Sequence, residues 1–122
     1  MNVLIIDDSE VARELMSTSL HRHGHRVVSM PSPIGVTRTI QREAIDVVVI
    51  DVNLPTINGD RLAMLFRKQN RMDRIGLVLV SGLDHKTLEK LGKDSEADAV
   101  VTKPEVPEKL PFAVMHAYNA RR

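Results

Sequence analysis

Asp7 and Asp8 directly follow the apolar run Val3-Leu4-Ile5-Ile6, and Asp51 directly follows Val47-Val48-Val49-Ile50. If both runs are neighbouring parallel strands, all three carboxylates emerge at one carboxyl-end sheet edge, where open α/β folds build their sites. Crowded carboxylates repel, so one of them should have a raised pKa unless a cation is bound. A ligand set made only of oxygen, beside a site for phosphate, favours Mg²⁺. The chemistry that suits such a cluster is phosphoryl transfer onto an aspartate.

The elements that must position these acids are legible as apolar runs. Residues 3–6, 47–50, 77–80 and 99–101 are continuously apolar, with a weaker strand at 26–29. Continuous rather than alternating apolarity predicts strands buried on both faces, as in a parallel sheet. Between them lie helical patterns. The first opens at Ser9 as N-cap, continues through Ala12, Leu15, Met16 and Leu20, and ends near Gly24. The second spans about 33–42, with Val36 and Ile40 inward, and the third follows Asn58-Gly59 and buries Leu62, Leu65 and Phe66. A short polar fourth helix covers roughly 85–93. The fifth lies within 107–120, and because proline lacks an N–H its regular part is expected to start near Leu110 or Pro111. Five alternations of strand and helix with right-handed connections give a doubly wound α/β domain. The expected strand order is 2-1-3-4-5, which sets the first and third strands side by side and brings Asp7, Asp8 and Asp51 together.

The 122 residues suit one domain spanning 1–122, and 17 basic against 16 acidic residues leave a net charge of +1. That balance implies neither a nucleic-acid surface nor a polyanionic partner, and Arg121-Arg122 reads as a solvated end. There is no cysteine, which excludes disulfides and thiolate metal sites and is compatible with a reducing cytoplasm. No basic leader and no membrane-length apolar run is visible, so the expectation is a soluble, unprocessed, cytoplasmic chain without a membrane partner. His21, His23 and His25 invite a metal reading, but Gly24 interrupts the helix and a basic helix end suits the helix dipole.

Ser81 follows the strand at 77–80, and Lys103-Pro104 follows the strand at 99–101, so both belong at the acid edge. Singly, an aspartate at a strand end is a helix cap or turn residue, Ser81 a loop residue and Lys103 a solvated amine. Their weight comes from the ordered set: Asp7-Asp8, Asp51, Leu54-Pro55 with Gly59, Ser81-Gly82 and Lys103-Pro104. With that set the chain resembles the receiver domain of bacterial two-component response regulators, over essentially its whole length. The resemblance implies a flavodoxin-like receiver fold of the chemotaxis, single-domain type. It makes Asp51 the phosphoacceptor, taking a phosphoryl group from a histidine kinase or phosphotransfer protein. It gives Mg²⁺ to Asp8, Asp51 and the backbone carbonyl of Asn53, with Asp7 acting mainly through a metal-bound water. It assigns Lys103 to the phosphoryl oxygens, Ser81 to a hydrogen bond formed once phosphate is present, and a cis bond to Lys103-Pro104. It also implies a downstream protein target, no direct nucleic-acid contact, a monomer or phosphorylation-dependent dimer, and no enzymatic turnover beyond the protein's own phosphorylation and dephosphorylation.

Departures from the family pattern fall away from the acids. Val100 stands where Tyr or Phe is common, and Glu105, Pro107 and Pro111 replace the more usual aromatic or aliphatic start of the fifth helix. The phosphorylation site therefore reads as intact and the output face as altered. An aspartyl phosphatase is disfavoured because Asp51-Val52-Asn53 lacks a second acid and no cap is present. A non-phosphorylated pseudo-receiver would have lost an acid or the lysine. A flavin carrier would need a phosphate loop where Asp7-Asp8 would repel phosphate.

Overall fold

A computed structural model describes residues 1–69 and 72–122. Its strands are β1 (Asn2–Ile6), β2 (Arg26–Met30), β3 (Val47–Asp51), β4 (Gly76–Ser81) and β5 (Ala99–Thr102). All pair in parallel in the order β2-β1-β3-β4-β5, as the sequence predicts. The helices are α1 (Glu10–His21), α2 (Val36–Arg42), α3 (Gly59–Lys68), α4 (His85–Asp94) and α5 (Val106–Ala120).

The two-residue side-chain period divides the core into two layers. Leu4, Ile6, Val48, Ile50, Leu77 and Leu79 face α2, α3 and α4, meeting Val36, Ile40, Leu62, Phe66 and Leu88. Val3, Ile5, Val47, Val49, Val78 and Val80 face α1 and α5, meeting Met16, Leu20, Leu110, Val114 and Ala117. Every residue of β3 and β4 is buried, whereas the edge strand β2 is half exposed. Continuous apolarity in the central runs therefore reports burial on both faces.

Several local expectations are corrected. Leu15 and Leu65 fit their helical patterns but point outward, 60% and 47% exposed, because Met16 with Leu20 and Leu62 with Phe66 take the core-facing positions. α2 begins at Val36, after Gly35 at φ 78, rather than at Pro33. α5 begins at Val106 and carries Pro111 inside it. Proline at 111 leaves the carbonyl of Pro107 without its helical donor. The Ser19 hydroxyl of α1 donates to that carbonyl at 3.4 Å, so a residue distant in sequence relieves the defect.

Of the Arg121-Arg122 pair, Arg122 is exposed as expected, but Arg121 is not a solvated end. Arg67 on α3 and Asp98 ahead of β5 form a buried ion pair at 2.6 Å, and Arg121 reaches the other Asp98 oxygen at 2.9 Å. Asp98 also accepts from the Leu77 amide, while Arg67 donates to the carbonyls of Ile75 and Glu96. Arg122 pairs with Asp46 at 2.8 Å and stacks over Tyr118. A clamp of two arginines on one carboxylate thus joins α3, β4, β5 and α5 at the amino-terminal ends of β4 and β5.

Ala44, in the turn between α2 and β3, has φ 51. A side chain in the left-handed region costs about 1–2 kcal/mol, which glycine avoids. Ala44→Gly should therefore stabilise the fold by about 1 kcal/mol net of the added chain entropy, raising the urea midpoint at unchanged slope.

Candidate functional site

The register sets the site. Ile6 pairs with Ile50, Asp51 with Val80, and Ser81 with Thr102, so the residues that follow Ile6, end β3 and β4, and follow Thr102 share one edge. Asp7, Asp8 and Asp51 each offer a carboxylate oxygen within 4.8 Å of one another. Asp7 and Asp51 are buried and Asp8 is exposed, giving the cluster a closed inner side and an open outer one.

Local hydrogen bonds aim these acids. Asp7 Oδ1 accepts from the Ser9 amide at 2.9 Å, and its carbonyl accepts from Arg13 at 2.8 Å. Ser9 in turn caps α1 by accepting from the Ala12 amide. Asp51 Oδ1 accepts from the Asn53 amide at 3.2 Å, leaving its second oxygen toward Lys103. The chain beyond Asp51 turns tightly, and the Gly59 amide donates to the Val52 carbonyl at 2.8 Å. A Cβ at Gly59 would overlap the Asp51 carbonyl oxygen and come within 2.8 Å of Ile50 Cγ2. Only glycine lets α3 start against the strand that carries Asp51.

Lys103 Nζ lies 3.5 Å from Asp7 Oδ2 and 3.7 Å from Asp51 Oδ2, bridging the buried acids while remaining partly exposed. Burial raises the Asp51 carboxyl above its ordinary value, and the charges of Asp7 and Asp8 add to that. The Asn53 amide and Lys103 oppose the rise. Asp7 Oδ2 is buried without a hydrogen-bond donor among the described residues. A buried carboxylate oxygen lacking a donor, within a set of hard oxygen ligands, fits a small divalent cation.

Ser81 is fully buried at the end of β4, where its Oγ accepts from the Leu83 amide at 3.1 Å. Next to it an added Cβ at Gly82 would meet nothing within 4 Å. Asn53 and Leu83 are exposed at the rim. The Lys103-Pro104 bond is trans, contrary to the expected cis form, since no cis peptide occurs among the described residues. Lys103–Glu105 form one 3₁₀ turn that runs straight into α5, and a proline near a helix start needs no N–H partner. Val100 is half-buried, and a Cβ at Gly92 of α4 would overlap its Cγ1. The three histidines sit at the other sheet edge: His23 Nδ1 is 3.0 Å from the Ser19 carbonyl, and His25 is buried 3.4 Å from the terminal amine.

The contact between two site neighbours, Thr102 and Glu105, escaped the reading of single residues. Thr102 donates from Oγ1 to Glu105 Oε1 at 2.6 Å, and Lys109 pairs with Glu105 Oε2 at 2.5 Å. Their signal was present as Thr102-x-x-Glu105, the spacing of a helix-start box.

Known proteins share this architecture. The family model described as the response regulator receiver domain matches residues 3–115. PilH of Pseudomonas aeruginosa is 29% identical over 108 residues, covering 88% of this chain and 89% of PilH. The TorCAD operon transcriptional regulatory protein TorR of Escherichia coli is 28% identical over 103 residues, 84% of this chain. Those residues are 44% of TorR, so the chain spans less than half the length of that relative. The chemotaxis response regulator CheY4 of Vibrio cholerae superposes with a TM-score of 0.82 at 24% identity, covering 95% of this chain and 97% of CheY4, and shares its fold. Among the described residues, no helix is long and apolar enough to cross a membrane.

Proposed function

The chain belongs to the response regulator receiver domain family, phosphoacceptors of two-component signalling, and from that premise we propose that Asp51 accepts the phosphoryl group. The donor is a phosphohistidine of a histidine kinase or phosphotransfer protein, and the output is binding to a downstream protein. The observation that carries this reading is the meeting of Asp7, Asp8 and Asp51 with Lys103 at the switch point between β1 and β3.

In the transfer, an Asp51 carboxylate oxygen forms the new O–P bond as the N–P bond to the donor imidazole breaks, leaving the nitrogen lone pair with the imidazole. Asp51 suits the nucleophile because its Oδ1 is fixed by the Asn53 amide while Oδ2 faces Lys103. Mg²⁺, held by Asp7, Asp8, Asp51 and the Asn53 carbonyl, would supply positive charge that offsets repulsion between carboxylate and phosphate. Lys103 is close enough to shift from the acids to the new phosphoryl oxygens as a compact cation. Ser81 can turn its hydroxyl hydrogen toward them while Oγ keeps the Leu83 amide, and open space at Gly82 lets the loop follow. At Val100 a small side chain lodged against Gly92 offers little difference in energy between two loop states, so this output rests on the Ser81 loop and α4.

Incubated with Mg²⁺ and phosphoramidate, the protein should gain one phosphoryl mass. Asp51→Asn should gain none and Ser9→Ala should retain it. An adduct persisting in Asp51→Asn would overturn the assignment. Asp8→Ala should weaken Mg²⁺ binding, followed by calorimetry, by at least about tenfold, since even outer partners of metal ligands are worth that much.

A further inference from the structure

Lys103 is held by two long ion pairs: its side chain is partly exposed, and its ammonium stands 3.5 and 3.7 Å from its two acids. A lysine carries its charge on a flexible four-carbon stem, so the placement of its ammonium depends on where the backbone launches it. That launch point is the 3₁₀ turn Lys103–Glu105, bounded by Thr102 at its start and Glu105 at its end. The usual way to fix a helix start is a side chain accepting from the first free amides. Here neither Thr102 nor Glu105 caps the backbone in that way. Their side chains meet each other instead, the Thr102 hydroxyl donating to the Glu105 carboxylate at 2.6 Å across the very residues Lys103 and Pro104. Lys109, one turn on in α5, holds the other oxygen of Glu105 at 2.5 Å. The hydrogen bond from Lys109, and then the one from Thr102, hold the Glu105 carboxyl below its ordinary value, so it remains an acceptor at neutral pH. Thr102 is also the β5 partner of Ser81.

We propose that Thr102 and Glu105, braced by Lys109, are positioning residues that set Lys103 for phosphoryl transfer. This rests on the phosphoacceptor role proposed for Asp51. The bracket spans the turn from outside, so its loss frees the backbone at Lys103 without removing any group that touches phosphate or metal. The charge and the metal ligands stay in place, and only the lysine loses its aim.

The test compares Thr102→Val, which keeps the shape and removes the hydroxyl, with Thr102→Ser, which keeps the hydroxyl, and with Glu105→Ala. Phosphorylation by phosphoramidate should slow about five- to tenfold in Thr102→Val and Glu105→Ala, the scale expected when a catalytic group is displaced by less than an ångström. Thr102→Ser should recover to within about twofold, since the hydrogen bond returns. Mg²⁺ affinity should not fall in any of the three, because none removes a ligand. In unphosphorylated protein the Lys103 side-chain ¹³Cε resonance should shift in Thr102→Val and return in Thr102→Ser. Unchanged rates and an unmoved Lys103 resonance would overturn the proposal, as would a loss in Thr102→Ser equal to that in Thr102→Val. If the parent protein takes up no phosphoryl group while the Lys103 resonance still moves, the bracket stands and the phosphoacceptor reading falls.

Discussion

Metal-free Asp51→Asn should be more stable than the parent protein at neutral pH, and the difference should vanish in acid. Asp51 is buried beside Asp7 and its carboxyl is raised, mainly by burial. A carboxyl raised in the folded state contributes stability that is fully present below its unfolded pKa, about 4, and is lost as pH rises through the folded value. At pH 7 the parent therefore carries an unfavourable charge that the amide variant lacks. The variant's amide side chain would keep an oxygen for the Asn53 amide and leave Lys103 wholly to Asp7, so no hydrogen bond is forfeited. The expected gain is about 1–2 kcal/mol, or several degrees in Tm, shrinking toward zero as pH falls to about 4. Saturating Mg²⁺ should narrow or reverse the order, since it stabilises whichever protein binds it more tightly. Urea unfolding across pH, with and without Mg²⁺, reads all three effects. A parent more stable than Asp51→Asn at pH 7 without metal would show that Lys103 already neutralises the cluster.

Gly59→Ala should be the most damaging small substitution near the site. Its new methyl group meets the Asp51 carbonyl and Ile50 Cγ2, and neither a central strand nor a fully buried isoleucine can yield cheaply. Overpacking against backbone should cost about 3 kcal/mol, lowering Tm by roughly 10 °C. Gly82→Ala is the matched control, because a Cβ there meets nothing within 4 Å. It should change stability by less than about 0.5 kcal/mol. Equal urea midpoints for the two variants would contradict the close approach of α3 to Asp51.

The sequence carried the sheet and the acid edge because both rest on local signals. Each apolar run is long enough to mark a doubly buried strand, and Asp7, Asp51, Ser81 and Lys103 each sit at the carboxyl end of one. What it did not carry depends on partners far along the chain. Leu15 and Met16 both fit the α1 pattern, and only the packing of α1 against α5 selects Met16 for the core. Pro111 reads as a helix start until Ser19 is seen to bond the carbonyl it strands. Arg121 reads as a loose end until Asp98 is brought to it. The cis form of Lys103-Pro104 came from likeness alone, and the 3₁₀ turn here accommodates the trans proline.

The arginine clamp has a kinematic consequence. Arg67, Asp98 and Arg121 fasten α3, β4, β5 and α5 at the sheet edge opposite Asp51, Ser81 and Lys103. Because β3, β4 and β5 stay paired through Asp51, Ser81 and Thr102, only the segments beyond these residues are left to move. A displacement begun at the acid edge is therefore confined to the carboxyl-end loops, which become the moving arm of a lever whose fulcrum lies at the amino-terminal ends of β4 and β5.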